Sequence, residues 1–250
     1  MEPSPLPEPA PVLAPLRDLF DGLVVVETRG RSPEVTLHPD EEACLRGAVP
    51  ARREEFAAVR WCARRALAAI GLPPAPVPSG PRGAPEWPTG VVGSMTHCPG
   101  YRAAAVARAA RLASVGIDAE PNAPLPPGVL DAIARPEERD GRVRAGGRIA
   151  ADRLLFSAKE SVFKAWYPLT GEELAFSAAA ISFTGLDAIS APLPAAGRFR
   201  ARLLTAGPLV GGERRSVLDG VWFAYPDFLA TAVLVPAPAR QPGPPRSPLN

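Results

Sequence analysis

Apolar positions along this chain follow two rhythms, and the switches between them outline the elements. Alternating or short continuous apolar runs predict strands at 23–28 (LVVVET), 91–97 (VVGSMTH) and 101–108 (YRAAAVAR), the last two around a Pro99-Gly100 turn, and at 113–120 (ASVGIDAE). Over 51–70, Phe56, Val59, Ala63, Ala66, Leu67 and Ile70 recur at helical spacing before Gly71 and Pro73, which predicts an amphipathic helix. A second helix is expected over 148–167 (RIAADRLLFSAKESVFKAWY), stopped by Pro168 and Gly171. Parts of 174–183, 198–206, 217–225 and 228–235 then return to strand patterning, while 72–90 is dense in Pro and Gly and reads as loop.

This order lacks the regular strand-helix alternation of a doubly wound sheet, so the expected class is α+β. Two similar-sized halves are expected, 16–112 and 113–235, meeting near residue 112. The ends, 1–15 (MEPSPLPEPAPVLAP) and 236–250 (PAPARQPGPPRSPLN), lack apolar periodicity and are expected to be disordered tails outside the fold. Both share in a proline excess of 33 in 250 residues, against an average usage near 5%.

Charge changes the picture by exclusion. With 28 basic and 26 acidic residues the net charge is only +2, too balanced for a protein that coats nucleic acid. No apolar run approaches a membrane span and no signal peptide opens the sequence, so a cytoplasmic protein without a membrane partner is expected. Cys44, Cys62 and Cys98 are odd in number and show no CxxC spacing, which favours reduced thiols over disulfides or zinc.

Candidate chemistry collects on a few elements. Asp118 and Glu120 lie two apart on a predicted strand, so both carboxylates face one side. A lone DxE is more often an ordinary acidic strand edge, and its company decides the matter. On the helix, Ser157, Glu160, Ser161 and Lys164 share one face, where a Glu and a Lys four apart could be only a surface pair. Set beside the strand carboxylates, Glu160 would complete a three-carboxylate set suited to Mg²⁺, a hard cation usually finished by substrate phosphates. His97 ends the strand VVGSMTH and could meet a phosphate or move a proton; its neighbour Cys98 points to the other face, a poor geometry for a Cys-His dyad. Arg53, Arg60 and Arg64 run along one helix face and Arg82 lies in the loop, forks that suit phosphate as well as they suit a solvated surface. The chain holds neither a P-loop nor a GxGxxG turn, so a nucleotide here would be held by side chains. Lys159 and Lys164 are its only lysines, and both sit on the one helix.

Together, VVGSMTHC at 91–98, GIDAE at 116–120 and FSAKESVFKAWYPLTG at 156–171 resemble the Sfp-type 4'-phosphopantetheinyl transferases, within them the branch of the enterobactin synthetase component D. RREEFAAVRWCARRAL at 52–67 and RGAPEWP at 82–88 add weaker support. The resemblance spans roughly residues 16–235. FSAAAISF at 176–183 departs from it by lacking the acidic residue expected after the corresponding Phe.

The resemblance implies an enzyme that moves the 4'-phosphopantetheine arm of coenzyme A onto a serine of an apo carrier protein, releasing adenosine 3',5'-bisphosphate. It implies two similar α+β halves related by a pseudo-twofold, with the active site in the cleft between them. Carried over by position, Asp118, Glu120 and Glu160 hold Mg²⁺, or Mn²⁺ in its place, against the diphosphate. Arg53, Arg60 and Arg82 reach the adenosine 3'-phosphate, and Ser94, Thr96 and His97 line the nucleotide and diphosphate. Lys159 and Lys164 meet the diphosphate, and Glu160 is the candidate general base. Acyl and peptidyl carrier proteins are the implied partners of a monomer, in polyketide, nonribosomal peptide or siderophore biosynthesis. Two other readings use the same residues: a non-catalytic carrier-binding module of the same fold, and a Mg²⁺-dependent phosphohydrolase.

Overall fold

The computed structural model describes residues 12–13, 15–30, 34–141, 147–184 and 193–238. In chain order the helices are α1 (Leu16–Leu19), α2 (Pro39–Ala43), α3 (Pro50–Ala69), α4 (Val129–Ile133), α5 (Pro136–Gly141) and α6 (Ala151–Thr170). The strands are β1 (Val24–Arg29), β2 (Val91–Cys98), β3 (Tyr101–Arg108), β4 (Leu112–Pro121), β5 (Ala179–Thr184), β6 (Ala195–Leu203), β7 (Leu209–Val210), β8 (Glu213–Arg214), β9 (Val217–Ala224) and β10 (Phe228–Pro236). They form an antiparallel sheet of order β1-β3-β2, a five-stranded antiparallel sheet of order β4-β10-β9-β6-β5, and the small β7-β8 hairpin. The class is α+β, as the patterning predicts.

Each half is a long helix on a sheet. In the first, Cys62, Ala63, Ala66 and Leu67 of α3 pack against Ala104 and Val106 of β3. In the second, Leu155, Ala158, Val162 and Trp166 of α6 pack on the five-stranded sheet with Phe199 and Trp222. A third core joins the sheets, where Ala103, Ala105 and Ala107 of β3 meet Val115, Ile117 and Ala119 of β4.

The strands β2 and β4 are edge strands of different sheets, and an edge leaves a row of backbone donors unpaired. Here two hydroxyls supply the missing acceptors. Ser94 Oγ accepts from the Ile117 N–H at 3.1 Å, and Thr96 Oγ1 accepts from the Ala119 N–H at 2.9 Å. Both side chains are buried, so each bond removes a donor that burial would otherwise leave bare.

The structure differs from the sequence expectations at the element ends. Pro168 does not stop α6: it sits in the last turn, where its missing N–H forfeits one hydrogen bond, and the helix ends at Gly171 with φ of 69°. Val12 and Leu13, inside the stretch expected to lie outside the fold, are fully buried. Their N–H groups donate to the Glu27 carboxylate at 3.1 Å each, so two apolar residues with satisfied amides anchor there without any periodic pattern. At the other end β10 reaches Pro236 and the Ala237 N–H bonds Arg111 O; residues 239–250 of the expected tail, like 1–11, lie outside the described residues. Ile70, expected in the buried stripe, is only half-buried at the helix end. Among the described residues no helix is long and apolar enough to cross a membrane.

Candidate active site

The site is built where α6 crosses β4. Side chains alternate along β4, so Ile117 and Ala119 enter the core between the sheets while Gly116, Asp118 and Glu120 face the other way. A Cβ on Gly116 would lie 2.0 Å from Ser161 O and 2.6 Å from Ala165 N of α6, an overlap no side chain survives. Glycine there lets the helix lie directly on the strand, and that close approach carries Lys164 to Asp118.

Lys164 Nζ donates to Asp118 Oδ1 at 2.7 Å and to Ile117 O at 3.2 Å. Thr96 Oγ1 lies 3.3 Å from the same carboxylate oxygen. Asp118 is only 4% exposed, yet its second oxygen, Oδ2, is buried with no hydrogen-bond partner. An unpaired buried carboxylate oxygen is costly and therefore points to a missing ligand.

The neighbouring carboxylates are perturbed in the same sense. Burial raises the pKa of Glu160 above the ordinary carboxylate value, with the Asp118 charge adding to the rise and Lys164 opposing it. Burial and Asp118 likewise raise Glu120, which Arg153 draws aside with an ion pair at 2.9 Å. Arg153 is itself held by Ala123 O and Pro124 O. As placed, no three His, Cys, Asp or Glu side chains among the described residues are gathered into a metal cluster. Mg²⁺ does not need such a cage, since one or two carboxylates plus substrate phosphates commonly hold it. A bare, buried Asp118 Oδ2 beside two further carboxylates fits that donor chemistry.

From this corner a cleft of about 520 Å³ opens between the halves. Arg52 and Arg60 of α3, Arg82 of the following loop, and His97 of β2 line one side; Glu160 and Lys164 line the other. Arg60 is 5% exposed, with Nε on Val77 O at 3.1 Å, Nη2 on Ser79 Oγ at 2.9 Å, and its plane over Phe56. Burial lowers its pKa to about 10, which leaves it charged at neutral pH. Arg82 takes a left-handed backbone conformation, φ 59°, and pairs with Glu173 of the other half. His97 Nε2 is 3.2 Å from both Glu55 and Arg52, and burial lowers its pKa. Cys98 is buried and its thiol is pushed up to about 12 by burial, so it supplies no thiolate for a dyad with His97.

Several sequence-predicted residues stand elsewhere. Arg53 turns outward to an ion pair with Glu42 and does not line the cleft; Arg52 does. Ser94 touches the cleft and Thr96 does not line it; each hydroxyl accepts a β4 backbone N–H, which ties it to the seam between the strands. Lys159 is directed away from the cleft: Glu138 at 2.9 Å, Phe176 O at 2.8 Å and Ala179 O at 2.9 Å take all three of its donors, leaving none for a diphosphate.

Residues 40–107 match the 4'-phosphopantetheinyl transferase N-terminal domain, and residues 114–213 match the 4'-phosphopantetheinyl transferase superfamily. The chain is 55% identical over 210 residues to the 4'-phosphopantetheinyl transferase Svp of Streptomyces mobaraensis, covering 83% of this chain and 82% of that protein. The chain belongs to the 4'-phosphopantetheinyl transferases. It is also 46% identical over 201 residues to the transferase Npt of Nocardia iowensis (80% of this chain, 90% of that one) and 42% identical over 222 residues to PptT of Mycobacterium tuberculosis (87% and 94%).

The activity of the family is transfer of the 4'-phosphopantetheine arm of coenzyme A to a carrier protein. Two features of this transferase escaped sequence reasoning. Arg52 was recoverable: Arg52, Glu55, Phe56, Val59 and Arg60 fall at i, i+3, i+4, i+7 and i+8, one helix face, and all line the cleft. Arg153 carried no signal, because its contact to Glu120 depends on the turn after β4 folding back to clamp it.

Proposed function

We propose that this transferase binds coenzyme A with its phosphates toward Arg52, Arg60, Arg82 and His97, and holds Mg²⁺ or Mn²⁺ through Asp118, Glu120 and Glu160. The observation that carries the reading is the buried, partnerless Oδ2 of Asp118, whose other oxygen is paired to Lys164 on the wall of a cleft that Arg52, Arg60 and Arg82 also line. The bound cation supplies charge neutralisation on the diphosphate.

The protein's own groups do the rest. The serine oxygen of the carrier forms a bond to the phosphorus of the pantetheine phosphate while the bridging P–O bond breaks, and adenosine 3',5'-bisphosphate departs. Such a displacement is carried by positioning and charge, so the Lys164 ammonium belongs on the developing negative oxygen. Glu160 accepts the serine proton, directly or through a water; holding the cation would lower its pKa and weaken it as a base, which favours the route through water. Lys159 has no part in this reading, because its donors are already committed.

The partners are apo acyl and peptidyl carrier proteins, met by a cytoplasmic monomer serving polyketide, nonribosomal peptide or siderophore synthesis. The narrower likeness to the enterobactin synthetase component D branch belongs to the same proposal. Intact-mass measurement of both apo carriers with coenzyme A and Mg²⁺, beside an EDTA control, tests it. A metal-dependent gain of one phosphopantetheine arm is expected; a gain undiminished by EDTA contradicts the cation assignment.

A further inference from the structure

The seam between β2 and β4 does more than close two sheet edges. A threonine hydroxyl has one proton and two lone pairs. Thr96 Oγ1 already accepts the Ala119 N–H at 2.9 Å, which leaves its proton to give, and Asp118 Oδ1 stands 3.3 Å away. Lys164 Nζ donates to that same oxygen at 2.7 Å. Oδ1 is therefore held by donors from both halves, one on β2 and one on α6, while Oδ2 is left bare and buried. Ser94 makes the equivalent seam bond, to the Ile117 N–H at 3.1 Å, with no hydrogen bond to a carboxylate among the described residues.

We infer that Thr96 is a positioning residue: its hydroxyl, with Lys164, engages Oδ1 of Asp118 and so presents Oδ2 to the catalytic cation. The inference rests on the cation reading above. It gives the two seam hydroxyls different tasks, Ser94 closing the edge and Thr96 closing the edge and aiming the carboxylate. It also makes cation affinity depend on contact between the halves, because Thr96 reaches Asp118 only across the seam.

The test is Mn²⁺ affinity of the full chain with coenzyme A present, read from the electron paramagnetic resonance signal of free Mn²⁺, alongside melting temperature. Thr96→Val removes the hydroxyl at nearly constant volume, and groups that orient a ligand typically cost 10–100-fold in metal affinity when lost. A loss of about that size is expected for Thr96→Val, with Thr96→Ser restoring native affinity. Ser94→Ala is expected to lower melting much as Thr96→Val does but to keep Mn²⁺ affinity. Should Thr96→Val fail to fold, Thr96→Cys keeps a weaker donor in place and is expected to fall between Ser and Val.

Native Mn²⁺ affinity in Thr96→Val or Thr96→Cys, with melting lowered as in Ser94→Ala, overturns the inference and leaves Thr96 as a seam residue only. A native chain that binds no Mn²⁺ contradicts the cation reading itself, an outcome distinct from the first because every variant then matches the native chain.

Discussion

The two lysines of this transferase lie five residues apart on α6 and meet opposite surroundings. The Lys159 side chain is 1% exposed, and its ammonium is saturated by Glu138 and two carbonyls. That of Lys164 is 27% exposed at the cleft, against an aspartate with one oxygen still bare. The family resemblance had put both on the diphosphate. The difference shows that a buried cation with every donor occupied is a structural brace, whereas one facing a half-satisfied partner at an opening is poised for a ligand.

The largest break of that comparison is Lys159→Met. It leaves the Glu138 carboxylate, 3% exposed, buried without its counter-charge, a loss expected to cost about 3–5 kcal/mol. Chemical denaturation checks it, and unchanged stability with lost turnover would return Lys159 to the active site. Lys164→Ala is expected to lower kcat by roughly 10²–10³, and to lower the melting temperature as well, because it leaves the buried Asp118 carboxylate without its counter-charge. Stopped-assay kinetics beside a melting curve reads both quantities.

The arginines of α3 sharpen the same contrast at smaller scale. Losing a charge-assisted hydrogen bond costs about 1.5–3 kcal/mol, so Arg52→Ala is expected to raise the KM for coenzyme A by roughly tenfold or more. Arg53→Ala removes only an exposed pair with Glu42, worth about 1 kcal/mol at most to stability, and leaves that KM in place. Equal effects of the two variants on KM would contradict the placement of the cleft.

Acidity gives the smallest effect. Burial lifts the Glu160 pKa above 4.5, so the folded chain holds that proton more tightly than the unfolded one. The resulting stabilisation is fully present below pH 4.5 and is lost as pH rises through the raised value. Metal-free melting curves across that window are expected to be flatter for Glu160→Gln than for the native chain.

Much of this architecture is legible in the sequence because it follows from burial. The strands at 91–98, 101–108 and 112–121 and the two long helices came from apolar rhythm, which reports the core directly. The short helices α2, α4 and α5 did not, since five or six residues carry too few apolar positions to establish a period. Within the site, GIDAE and KESVFK found the carboxylates and Lys164, because those residues must share faces that strand and helix spacing fix. The roles of Lys159, Thr96 and Arg153 were hidden, as each depends on a partner from a distant segment: Glu138 for the lysine, Ala119 for the threonine, the 123–124 turn for the arginine.

The account turns on Asp118, whose free oxygen motivates the cation site and whose bound oxygen ties the halves together. The most direct measurement is intact mass of an apo carrier after incubation with coenzyme A, Mg²⁺ and either the native chain or Asp118→Asn, with folding of both checked by circular dichroism. The account predicts one added phosphopantetheine arm with the native chain and none with the folded variant; native-rate transfer by Asp118→Asn would contradict it.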